Sequence, residues 1–174
     1  MSDQNIDSLK ALRTALAVEE NGLKTYLNFA LQTKDQNGKN MFIRLAMDEQ
    51  EHRRIIGEQL DQLAEGKPWK AVEVALSVLE KVAPKIHVED QRIKGESGLL
   101  ALDALETALE MERAAADLFA GQARLATDSE ARALFLRLKE WEDAHYEIIQ
   151  AEIDSIKGTG LWFGMSEFQM DGKY

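Results

Sequence analysis

Apolar residues recur along four long stretches of this chain at intervals of three and four, the period of a helix that buries one side. In the first stretch they are Leu9, Leu12, Leu16, Leu23, Tyr26 and Ala30, while Lys10, Arg13, Glu20, Lys24 and Asn28 fall on the opposite side. This predicts a helix capped by Asp7 and running to about Thr33. Asp35 is the predicted cap of a second helix that runs to about Glu65 and stops at Gly66. A third helix is predicted from about Leu99 to Ala126. Thr127-Asp128-Ser129-Glu130 has the spacing of a capping box for a fourth, which lasts to about Lys157 and ends at Gly158 and Gly160. Residues 66–98 form a long connection between the second and third helices. Within it, residues 69–82 (WKAVEVALSVLEKV) are helical in period and end before Pro84. His87, on the polar part of this connection, is read as solvated. Residues 158–174 carry Trp162, Phe163, Phe168 and Tyr174 and are expected to pack on the bundle or on a second subunit.

The apolar stripes are interrupted by groups that do not belong in a core. On the second helix Phe42, Leu45, Glu49, His52 and Ile56 share one face, so a carboxylate and an imidazole one turn apart point into the interior. Glu19 interrupts the first stripe in the same way. Such groups need a counter-charge or a metal, because a bare buried charge is costly. One acid in an apolar stripe is commonly a side chain that reaches back to water. The pattern here is larger than one acid.

Shifting the chain by 93 residues aligns residues 6–56 with 99–149 without a gap, and 16 of the 51 positions are identical. Chance would give roughly three or four in a composition this rich in Ala, Leu and Glu. The matched pairs include Leu12/Leu105, Glu19/Glu112, Asp35/Asp128, Phe42/Phe135, Arg44/Arg137, Glu49/Glu142 and His52/His145, with Tyr26 opposite Phe119. The chain therefore carries a duplicated helical hairpin. Measured from Asp35 at 1.5 Å per helical residue, Glu19, Glu49 and His52 lie ~24, ~21 and ~26 Å from the turn, at one height in an antiparallel pair. Glu112, Glu142 and His145 repeat those spacings around Asp128. Glu110 is excluded by the register. With Glu51, Glu106 and Glu140 it is read as an outer-face charge, and Arg44 and Arg137 as partners of surface acids. Two such hairpins face to face bring together four carboxylates and two imidazoles, the donor set of a dinuclear centre in a four-helix bundle. Two divalent ions would balance the charge of four ionised glutamates. Hard oxygen donors with one imidazole per ion suit iron(II) or manganese(II), and zinc accepts the same donors.

Composition narrows the partners. With 174 residues the chain is long enough for one domain with a substantial core, and its net charge of -10 disfavours nucleic acid and anionic membrane surfaces. No apolar run reaches the ~18 residues needed to span a membrane. There is no cysteine, so the chain holds no disulfide, zinc ribbon or thiolate-bound iron. The polar start, Met-Ser-Asp-Gln-Asn, lacks the apolar run of a signal peptide, and a cytoplasmic location is expected.

Ala15-Leu16-x-Val18-Glu19 with Tyr26 seven residues on, followed by Glu49-x-x-His52, resembles the rubrerythrin-type branch of the ferritin-like di-iron carboxylate superfamily. Ala108-Leu109-Glu110-Met111-Glu112 with Phe119, then Glu142-x-x-His145, repeats the pattern, so the resemblance spans about residues 6–157. It implies an all-α, ferritin-like four-helix bundle built from the duplicated hairpin with a long crossover. The single domain would comprise hairpin 1 over about 6–65, the crossover 66–98, hairpin 2 over about 99–157 and the aromatic tail. It implies two iron ions held by Glu19, Glu49, His52, Glu112, Glu142 and His145, with either Glu49 and Glu142 or Glu19 and Glu112 bridging. Tyr26 is expected to pack beside the ligands and to hydrogen-bond one of their carboxylates. The implied activity is oxidation of a ferrous pair by hydrogen peroxide or dioxygen, with electrons from an external donor such as a rubredoxin-type protein, in a homodimer. Iron handling of the ferroxidase type and a purely structural metal site are the competing expectations. The chain departs from the family's pattern in two respects. It has no cysteine-bound rubredoxin iron, and Gly22 and Ala115 stand where the family tends to carry a further glutamate.

Overall fold

The computed structural model describes residues 3–71, 96–157, 161–162 and 165–166. Four helices of nearly equal length account for almost all of it: α1 Asp3–Gln32, α2 Gln36–Ala64, α3 Glu96–Leu125 and α4 Ser129–Lys157. The main packing is within hairpins, α1 along α2 and α3 along α4, and α1 also meets α3. This is the all-α four-helix bundle of two hairpins joined by a long connection that the repeat implied.

Local chemistry sets the helix ends. Asp35, in an extended conformation, accepts a hydrogen bond from the Gly38 amide at 2.7 Å and so caps α2. The same device opens α4, where Asp128 Oδ1 accepts from the amides of Glu130 at 2.8 Å and Ala131 at 3.1 Å. The acceptor of these two amides is thus Asp128, the repeat partner of Asp35, one residue on from the Thr127 of the anticipated capping box. At the far end of α2 the chain turns at Gly66, whose φ of 74° suits a residue without Cβ. Asp7 does not cap α1. The helix already begins at Asp3, and an acid in its opening turns is favoured by the helix dipole.

Two apolar clusters fill the bundle. One joins Leu9, Leu12 and Ala15 of α1 to Ile55, Ile56 and Leu63 of α2, Ala115, Phe119 and Ala123 of α3, and Leu134, Phe135, Leu138 and Trp141 of α4. The other joins Tyr26 and Ala30 to Phe42, Leu45 and Ala46, then to Leu105, Ala108, Ile149 and Ile153. In each cluster the open end of one hairpin meets the turn end of the other. The two hairpins therefore pack head to tail, with their turns at opposite ends of the bundle. The layer between the clusters is polar.

After α2 the connection is fastened by a buried side chain. Gln59 donates from Nε2 to the Lys70 carbonyl at 2.7 Å and accepts the Lys70 amide at 3.1 Å. Residues 69–71 are not helical, and Trp69 lies partly buried against the first cluster. The rest of the helix expected over 69–82, Pro84 and His87, which was expected to be solvated, lie outside the described residues. So do Gly158, Gly160 and the aromatic side chains of the tail. Leu161–Trp162 and Met165–Ser166 pair as two short antiparallel strands, which helical periodicity could not have announced.

Candidate metal centre

Each of the four helices delivers its charged groups to the layer between the apolar clusters. Glu19 follows Leu12 and Ala15 along the inner side of α1, and Glu49 and His52 stand between Leu45 and Ile56 on α2. Glu112 takes the corresponding place on α3, and Glu142 and His145 on α4. All six are at most 2% exposed. The height match read from the repeat is therefore met in three dimensions.

The six converge as two overlapping sets. Glu19, Glu49, His52 and Glu142 place one potential ligand atom each within 4.8 Å of one another, and so do Glu49, Glu112, Glu142 and His145. Glu49 and Glu142 belong to both sets, a choice the spacing alone had left open. His52 Nδ1 lies 3.2 Å from Glu19 Oε2, 3.5 Å from Glu49 Oε2 and 3.4 Å from Glu142 Oε1. His145 Nδ1 lies 3.5 Å from Glu112, 3.6 Å from Glu49 and 3.6 Å from Glu142. The two imidazoles are nearly parallel, with centroids 5.6 Å apart. Each ring offers the same nitrogen to the carboxylates.

The electrostatics are those of a site short of positive charge. Burial pushes the Glu19 carboxyl well above its ordinary value, and the neighbouring Glu142 and Glu49 charges push it further. Glu112 is raised well above its ordinary value as well, by burial first and then by Glu142, against the pull of His145. Burial also acts upward on Glu49 and Glu142, but polar neighbours overcome it, Glu19 and both imidazoles beside Glu49 and the imidazoles and Glu112 beside Glu142. Both end below the usual carboxylate range. Burial alone would depress His52 and His145. The carboxylates around them, Glu19 first for His52 and Glu112 first for His145, raise both well above an ordinary imidazole. Even so, Glu19 Oε1, Glu142 Oε1 and both His145 nitrogens are buried without a hydrogen-bond partner. Orphaned buried atoms are rare, and here they are oxygen and imidazole donors aimed at shared points. Such a donor set suits two divalent cations.

The family profile described as Rubrerythrin matches residues 10–153. The chain belongs to the rubrerythrin family. No match was found among curated proteins or among solved structures. In this rubrerythrin-family bundle the matched span contains all four helices' site residues, and the donor set fits a dinuclear metal centre. None of the described helices is long and apolar enough to cross a membrane.

Three further residues complete the surroundings. The Tyr26 hydroxyl, anticipated as a hydrogen-bond donor, donates to Glu112 Oε1. Burial and then the Glu112 charge raise the Tyr26 phenol well above its ordinary value, so it stays a donor. Sequence reasoning missed the other two. Asp48, 3% exposed, sets Oδ2 at 3.5 Å from His145 Nε2. Trp141 lies flat on His52, with centroids 4.5 Å apart and planes 8° from parallel. A signal was present: the 93-residue shift sets Asp48 opposite Trp141, each just before the glutamate of a Glu-x-x-His pair. Most of the outer charges behave as read, except that Arg44 makes no ion pair among the described residues. Glu51, Glu106, Glu110 and Glu140 are exposed, and Arg137 pairs with Glu140 at 2.9 Å.

Proposed function

We propose that this chain is a non-haem di-iron oxidoreductase that reduces hydrogen peroxide, or dioxygen, with electrons from a separate donor such as a rubredoxin-type protein, and that it works as a homodimer. The observation that carries this reading is the pair of overlapping buried donor sets, each with one imidazole and three carboxylates. Glu19 and His52 would hold one ion and Glu112 and His145 the other, with Glu49 and Glu142 reaching both. A bound iron pair would supply two electrons and Lewis acidity to an O–O bond. Reduction of peroxide balances as one hydrogen peroxide, two electrons and two protons giving two waters.

The chain's own contribution is placement and exclusion of water. Apolar clusters on either side of the polar layer keep the carboxylates in a low-dielectric interior, which strengthens their hold on cations. Tyr26 fixes the orientation of Glu112 through a hydrogen bond that a phenylalanine could not make. With no cysteine in the chain, electrons must arrive from outside it.

Anaerobic loading with ferrous iron, followed by stopped-flow mixing with peroxide or dioxygen, tests the reading. Rapid peroxide-driven oxidation and turnover with a reductant are expected. A protein that reacts only with dioxygen and never turns over would sink the peroxidase. Gel filtration separates the iron-handling alternative, since storage needs a cage-sized assembly and the proposal expects a dimer.

A further inference from the structure

The duplication makes the two halves of the site comparable residue by residue, and they are not alike. His145 has a carboxylate on each side: Nδ1 faces the ligand carboxylates and Nε2 faces Asp48 at 3.5 Å. His52 meets three carboxylates, all at Nδ1, and its ring is covered by Trp141. Asp48 and Trp141 occupy equivalent places in the repeat, so where one imidazole has a carboxylate oxygen 3.5 Å from its far nitrogen the other has an indole face. The second pair of equivalent places, Tyr26 and Phe119, divides the same way. Tyr26 donates to Glu112, whereas Phe119 has no hydroxyl to offer Glu19. Both polar supports act on the Glu112–His145 half.

An acceptor on the far nitrogen of a ligating imidazole fixes its orientation and makes it a stronger donor, and a hydrogen bond to a ligating carboxylate holds it in place. Neither support exists on the other side among the described residues. We propose that the two metal positions are unequal: the one at Glu112 and His145 fills first and holds its ion, and the one at Glu19 and His52 fills second and exchanges it readily. At limiting metal the protein would then be a defined one-ion species with its vacancy beside Trp141.

The inference rests on the dinuclear reading, and one experiment separates the two. Metal-free protein is titrated with zinc(II), a diamagnetic probe, by calorimetry and by nitrogen-detected NMR of the imidazoles. Two steps separated by tenfold or more are expected, with the His145 signals moving in the first and the His52 signals in the second. Asp48→Asn keeps the side-chain shape and should weaken the first step by about 10- to 100-fold, drawing the two steps together. Tyr26→Phe, a residue the fold already accommodates at position 119, should weaken the same step and leave the second unchanged. Simultaneous movement of both imidazoles, or His52 moving first, overturns the inequality while leaving the dinuclear reading intact. Uptake of less than one ion per chain overturns both.

Discussion

At the scale of single residues, the shared carboxylates and one glycine decide what the site can hold. Because Glu49 and Glu142 belong to both donor sets, Glu142→Gln should abolish binding of both ions, whereas Glu19→Gln should leave close to one. Metal analysis of the purified variants, beside their helical circular dichroism, checks this, and equal losses would contradict the sharing. Gly22 makes a different case. A Cβ there would lie 3.1 Å from Glu49 Cδ and 3.3 Å from its Oε1, so the carboxylate occupies the space that a side chain would need. The position that tends to carry an extra glutamate in relatives is here given over to the approach of Glu49. Gly22→Ala should therefore move stability and binding in opposite directions. Helix propensity favours the alanine by about 0.5–1 kcal/mol, while displacement of Glu49 should weaken metal binding by roughly tenfold. Thermal melts of the metal-free variant and a metal titration read the two effects separately.

At the scale of elements, the caps and the clamp on the connection carry the fold's local specification. Asp35→Ala and Asp128→Ala each remove an acceptor from the first turn of a helix, and each should cost about 1 kcal/mol in urea denaturation. Equal losses at the two positions would mark them as the repeated device they look like; no loss at Asp128 would return the cap to Thr127. The four helices were legible because periodicity, Asp35 and Gly66 all pointed the same way. The start of α1 was not, since helix dipole and cap preferences both favour acids near Asp3 and Asp7 and do not separate them. The six inward groups were legible because a polar residue on a buried face is conspicuous, and the repeat supplied the register. Asp48 and Trp141 escaped notice because each sits one residue from a ligand, about 100° around the helix, on a face that periodicity assigns to a neighbouring helix. What they touch depends on how the hairpins dock, and a single helix's pattern does not contain that. The clamp of Gln59 on Lys70 was invisible for the same reason: a glutamine paired with backbone leaves no periodic trace.

At the scale of the molecule, head-to-tail packing of the hairpins means that the polar layer exists only when both are docked. Its ionisation therefore governs global stability. Glu19, Glu112, His52 and His145 all have folded values above their ordinary ones, so the metal-free native state holds more protons than the unfolded chain once pH exceeds about 4.5. Stability from these groups is full in mild acid and is lost as pH rises through the raised values. Glu49 and Glu142, held low, contribute the opposite dependence, present above about pH 4.5 and lost below it. Metal-free protein should melt at lower temperature at pH 9 than at pH 6, and a melting temperature that climbed with pH would count against the arrangement. Loaded protein should melt higher than metal-free protein, with a gap that widens towards alkaline pH, and a chelator should erase the gap. The same layer can be described by what passes through it. Without metal, the carboxyl groups of Glu19 and Glu112 and both imidazoles are held towards their protonated forms. With two divalent ions, the charge of four ionised carboxylates would be balanced and the ligating imidazoles would be neutral. Cations and protons therefore compete for the same atoms. The bundle is thus an ion exchanger of fixed capacity whose resting counter-ions are protons. Filling it in unbuffered solution should release protons, and affinity for the ion pair should climb with pH while these groups remain protonated.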